Sequence, residues 1–288
     1  MVIESAKART VVSRAQRLKI LTRCNITDLV SGLKVDRREL RCLVSAFGVV
    51  PAYGFARVLV SYDQIVARDG MVAGAAKLVH SYTRTLTVQH ADRIPATGPL
   101  LIVANHPGLV DAMALVAALK ERPDLRIIAM DRDLLRAIPH VGARLMYVSA
   151  ERGGRTGLIR DVVAHLRGGG AVLTFPAGHI EPDPALDPEG AVTALAEWTD
   201  SAGLFLRRVP ETVVLPIAVS GVISQRARRH PWSRRLEGKD RDSAAATLQV
   251  LWPPYRDTAT VVRVGRPLDS TVTRTELHAA MATVIRPA

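Results

Sequence analysis

Apolar residues in the middle of the chain alternate between short unbroken runs and longer stretches with helical spacing, and that rhythm sets the expected fold. Thr85–Gln89 (TLTVQ) and the run LLIVA ending at Ala104 read as strands, divided by a turn containing Pro95, Gly98 and Pro99. Further strands are expected at Arg126–Met130, Ala143–Ala150, Ala171–Phe175, Thr212–Ser220, Thr247–Leu251 and Thr260–Val264. Between them, GLVDAMALVAALK from about Gly108, a segment from about Gly157 to Leu166, EGAVTALAEWTD and Arg274–Ile285 carry helical periods. Alternation of this kind predicts an α/β fold: a mixed central sheet flanked by helices.

The N-terminal part has another texture. The first twenty residues contain no apolar core of the kind a secretion signal carries and read as a polar, basic helix. Cys42–Tyr62 is apolar but contains Pro51 and Arg57; neither half is long enough to span a bilayer, and the proline predicts a kink or two short helices. We therefore expect a basic, amphipathic helical region over residues 1–80 attached to a membrane interface, and an α/β domain over residues 81–288.

Charge sharpens this picture. The chain has 39 Lys and Arg against 27 Asp and Glu, a net charge of +12. Residues 1–45 hold ten basic side chains and four acids, and a second basic cluster runs from Arg226 to Arg241 around Trp232. Such patches attract phosphate, on nucleic acid or on anionic lipid. The scarcity of aromatics and of any recognisable nucleic-acid module points away from nucleic acid as a partner and towards an anionic membrane surface. The expected location is the cytoplasm, peripheral on the inner face of the cell membrane. Cys24 and Cys42 form no metal-spaced pair and read as inert thiols in a reducing compartment.

Candidate chemistry concentrates in Asn105–Asp111, NHPGLVD. His106 falls in the turn between strand and helix, and Asp111 falls in the first turns of that helix, so the carboxylate can return beneath the imidazole. A carboxylate on one ring nitrogen fixes the tautomer and frees the other nitrogen to take a proton. No nucleophile accompanies this base, which suits activation of a substrate hydroxyl. GxGxxG, Walker A and GxSxG patterns are absent, which argues against nucleotide folds and the serine-hydrolase elbow.

The string resembles motif one, NHxxxxD, of the lysophospholipid/glycerol-3-phosphate acyltransferase superfamily, with Gly108 where that family usually has serine. Downstream, VGARLMYVSAERGG is similar to its second motif, FPAGHI (Phe175–Ile180) to FPEGTR, and VVLPIAV with Pro216 to its fourth. In the third motif Phe175, Pro176 and Gly178 match, while Ala177 and Ile180 replace the glutamate and the arginine. The resemblance covers about residues 85–222. It implies a glycerolphosphate-acyltransferase-like fold and acyl transfer from a thioester, acyl-CoA or acyl carrier protein, to a hydroxyl of a lysophospholipid or related lipid, with lysophosphatidic acid as the default acceptor. No metal or other cofactor is implied. His106 would be the general base, oriented by Asp111. Arg152, with Arg155 as a second candidate, would bind the acceptor together with Gly108, Phe175, Pro176, Gly178 and His179. Backbone N–H groups near Gly108 and Leu109 are candidates for receiving the oxyanion.

Two other readings stay open. His179, Glu181 and Asp183, joined with His106 and Asp111, offer donors for a metal-dependent hydrolase. Alternatively, the chain is a non-catalytic protein that binds membrane surfaces on this scaffold.

Overall fold

Three helices lead the chain: α1 (Arg14–Gly32), α2 (Arg38–Asp69) and α3 (Met71–Tyr82). Then follow β1 (Thr85–Gln89), β2 (Leu100–Ala104), α4 (Asp111–Ala118), β3 (Arg126–Met130), the one-turn helices α5 (Asp133–Arg136) and α6 (Pro139–Gly142), and β4 (Leu145–Val148). The second half contains α7 (Gly154–Arg167), β5 (Ala171–Thr174), α8 (Pro188–Thr193), α9 (Ser201–Leu206), β6 (Val213–Ser220), α10 (Gln225–Arg228), α11 (Gly238–Leu251), β7 (Ala259–Val264) and α12 (Arg274–Ile285). This computed structural model describes residues 13–33, 38–108, 110–148 and 154–286.

The strands form one mixed seven-stranded sheet in the order β1-β7-β6-β2-β5-β3-β4, parallel at every pairing except β6 with β7. Central β2 is buried at all five positions, and its period-two alternation divides the core. Leu100, Ile102 and Ala104 face a layer containing α3 and α4, through Val79, Tyr82, Ala114 and Leu115. Leu101 and Val103 face the opposite layer, where α7, α9 and α12 contribute Val162, Leu166, Phe205 and Met281. A strand covered on both faces must read as an unbroken apolar run, as LLIVA does. Chain order also reverses around β2. The connection through α4 leads to β3 on one side, whereas β6 lies on the other, so the carboxyl end of β2 is a topological switch point, the place where sheets of this kind leave a crevice.

Three expectations need correction. Thr247–Leu251 is the end of helix α11, not a strand. A short apolar run alone does not choose its period. Here buried Gln249 decides: it accepts from the Ser224 N–H at 2.7 Å and donates to the Val222 carbonyl at 3.1 Å. Pro51 does not divide Cys42–Tyr62; α2 runs through it for 32 residues. Packing against α1 on either side of the proline holds the helix together, with Leu29 against Gly48 and the Asn25 side chain donating to the Ala52 carbonyl at 3.0 Å. EGAVTALAEWTD breaks into α8 and a 3-10 turn that ends before Trp198.

The leading helices are anchored firmly. Leu21, Ala56, Leu59, Val60 and Val66 pack with Ala137, Ile138 and Val141 around the one-turn helices α5 and α6. Buried Asp63 accepts from the backbone N–H groups of His140 (2.8 Å) and Val141 (3.0 Å) and pairs with Arg17. The outward side of α2 is different: Phe47, Val49, Val50 and Tyr53 are exposed. Among the described residues no helix is long and apolar enough to cross a membrane.

Candidate active site

The chain leaves β2 at Ala104 and needs six residues, Asn105 to Val110, to enter α4 at Asp111 rather than near Gly108. Asn105 fixes the exit. Its buried side chain donates to the Val219 carbonyl at 2.9 Å and accepts from the Val219 N–H at 2.8 Å, extending the β2–β6 ladder by one polar rung. His106 follows, half-buried above the crevice.

Asp111, in the first turn of α4 and 1% exposed, reaches back into the loop. Its Oδ2 lies 2.7 Å from His106 Nδ1 and also accepts from the Gly108 N–H at 2.7 Å. A carboxylate at a helix start lies at the favourable end of the helix dipole. Because a carboxylate only accepts, the imidazole hydrogen is assigned to Nδ1 and the lone pair to Nε2. Among the described residues Nε2 has no partner, and the histidine side chain keeps 28% exposure. One face of the ring stacks on Phe175, with centroids 4.5 Å apart and planes at 29°. Burial disfavours the imidazolium, but the Asp111 charge and hydrogen bond, with the Glu181 charge behind them, outweigh it. The pKa of His106 therefore lies above the ordinary 6.5.

Two residues that the sequence reading placed in a rival metal site support this arrangement instead. Glu181 is buried and accepts from the His106 backbone N–H through Oε2 and from Trp198 Nε1 through Oε1, each at 2.7 Å. Its own N–H donates to the His106 carbonyl at 2.8 Å, so the two loops are clamped in both directions. Burial raises the Glu181 pKa against the lowering effect of these donors. Asp183 accepts from Ala185, Gly221, Val222 and Ile223 at 2.7–3.0 Å and ties the same loop to the end of β6. Asp183 is thus committed to backbone N–H groups and Glu181 to one backbone N–H and the Trp198 indole, and among the described residues no group of three His, Cys, Asp or Glu is placed to hold a metal ion. The paired acids and prolines of HIEPDP are the visible signal; only the fold reveals that the acids are held by backbone N–H groups and the Trp198 indole.

The remaining predicted residues divide. Phe175 lies at the end of β5 beside His106, and Pro176 after it offers its carbonyl to Thr199. Gly178 turns the loop at φ +69°. His179 lies in the same loop with both nitrogens occupied, Nδ1 at 2.9 Å from the Ala177 carbonyl and Nε2 at 2.6 Å from Glu197 Oε2, with Lys239 Nζ 3.1 Å from that same Nε2. Gly108 adopts φ +89°, and its N–H, expected to face an oxyanion, is spent on Asp111. A β-carbon on Gly108 would come within 2.9 Å of Ile180 Cδ1, so two of the three departures from the family pattern meet in space. Leu109 and Arg152 fall outside the described residues; Arg155 lies in the first turn of α7, with its side chain outside that description.

Residues 85–220 match the family model described as Acyltransferase. A solved structure of the 1-acyl-sn-glycerophosphate (LPA) acyltransferase from Thermotoga maritima is similar at 14% sequence identity, over 93% of this chain and 90% of that chain, with a TM-score of 0.40. No curated protein sequence matches the chain.

Proposed function

The chain carries an acyltransferase-family domain over residues 85–220, and from that premise we propose that it moves a fatty acyl group from an acyl thioester to a lipid hydroxyl. One observation carries the reading: a histidine with Nδ1 held by a buried carboxylate and an Nε2 that has no partner and no nucleophilic side chain bonded to it among the described residues. His106 Nε2 takes the proton of the acceptor hydroxyl as its oxygen attacks the thioester carbonyl. The C–S bond then breaks, the thiolate accepts the proton from the imidazolium, and an ester remains. Asp111 holds the ring and balances the imidazolium charge. The donor is acyl-CoA or acyl carrier protein, and no metal enters the reaction.

For the acceptor, Ile180, which stands beside Gly108 where the family motif has arginine, favours a lipid bound with few charges near the base. A phosphate monoester needs several charge-assisted partners once it leaves water. We place lysophospholipids, phosphodiesters and glycolipids with a free hydroxyl ahead of monoester acceptors, and assign Arg152 the anion where there is one. The protein works at an anionic membrane surface, which the exposed Phe47 and Val50 on basic leading helices support.

Thiol release from acyl-CoA, measured against a panel of lipid hydroxyls, tests the activity. Release that depends on the acceptor is expected, and Arg152→Ala should raise the acceptor KM far more than the donor KM. Absence of release with every acceptor, from both CoA and carrier-protein donors, would overturn the reading.

A further inference from the structure

Away from His106, an open cleft of about 440 Å³ lies among α1, α2 and α3 and shares no residue with the catalytic crevice. Arg14 of α1, Arg57 of α2 and Lys77 of α3 line it, with Gly54, Ser61 and Ser81 leaving it room. Each cation comes from a different helix, and none has an ion-pair or hydrogen-bond partner for its side chain among the described residues. Nearby arginines behave otherwise, Arg17 pairing with Asp63 and Arg68 with Asp69. Three like charges facing one cleft, with no acid among its described lining residues, repel one another and attract an anion.

A second observation narrows the class of anion. On α2 the positions 47, 50, 54, 57 and 61 follow one helical face. Along that face the cleft residues Gly54, Arg57 and Ser61 continue directly into Phe47 and Val50, which are 80% and 78% exposed. Cations beside uncovered apolar side chains fit an amphiphile with an anionic head. We propose that the cleft binds the phosphate headgroup of a membrane phospholipid, with the lipid's chains lying along Phe47 and Val50. This rests on the membrane reading above and adds to it a discrete headgroup site separate from the acceptor site.

Vesicle partitioning of the full chain tests it, with phosphatidylglycerol-containing and pure phosphatidylcholine vesicles. The double variant Arg57→Gln/Lys77→Gln should lose affinity for the anionic vesicles by roughly 25-fold, at about fivefold per basic residue at the surface. Arg14→Gln alone, which serves if the double variant unfolds at a lower temperature, should lose about fivefold. Arg208→Gln/Arg266→Gln removes the same net charge from exposed positions elsewhere and should change affinity by less than about twofold. Phe47→Ser/Val50→Ser should weaken binding to both vesicle types. Equal losses in the cleft and control pairs would reduce the effect to general surface charge and overturn the site. Wild-type protein that binds neither vesicle type would instead overturn the membrane reading itself.

Discussion

Among the described residues two histidine–carboxylate pairs have nearly equal length, and only one leaves a ring nitrogen free to accept a proton. His106 and Asp111 meet at 2.7 Å, His179 and Glu197 at 2.6 Å. Asp111 is buried and is itself held by the Gly108 N–H, whereas Glu197 is 56% exposed and also lies 3.7 Å from Lys239. The second nitrogen decides the rest. Nε2 of His106 is open, but both nitrogens of His179 are occupied, one by a backbone carbonyl. The distance between a histidine and a carboxylate therefore says little about function; burial of the carboxylate and the state of the other nitrogen say most.

Breaking the two pairs should give effects of very different size. His106→Ala should leave a folded protein whose turnover falls by about a thousandfold, within the range a positioned base supplies. Asp111→Asn should cost roughly a hundredfold: the ring loses its charged partner and its fixed tautomer, and its pKa falls. Glu181→Gln is subtler. Glutamine has one acceptor oxygen for the two donors that Glu181 satisfies, the His106 N–H and Trp198 Nε1, so stability should drop by about 1–3 kcal/mol. The same change removes a charge that raises the His106 pKa, and the acid limb of the rate profile should move to lower pH. If that limb stays in place while stability falls, Glu181 acts on the loop alone. His179→Ala should alter turnover by no more than about threefold, because an exposed pair contributes little. A loss as large as that of Asp111→Asn would erase the distinction between the pairs.

Much of this was legible in the sequence where local pattern and environment agree. LLIVA reads as a strand because both of its faces are buried, and NHPGLVD places a base in a strand-to-helix turn whatever surrounds it. The C-terminal helix runs over Arg274–Ile285 as predicted, opened by a capping box between Thr273 and Glu276. Long-range partners were what the pattern could not supply. Glu181 looked like a metal ligand because nothing local reveals that its carboxylate turns towards the backbone of a residue 75 positions away. Thr247–Leu251 looked like a strand because the partners of Gln249 come from the distant β6–α10 connection. The proline in α2 was overridden by packing that only the folded helices provide.

The central claim, that His106 works as a base strengthened by its carboxylate neighbours, is tested most directly by the pH dependence of kcat/KM for acceptor-dependent thiol release. Below the His106 pKa the ring is protonated and Nε2 cannot accept, so the rate should fall tenfold for each unit of pH. The midpoint of that limb should lie above 6.5, and above its position in Glu181→Gln. A rate independent of pH from 5 to 8 in the wild type would contradict the account.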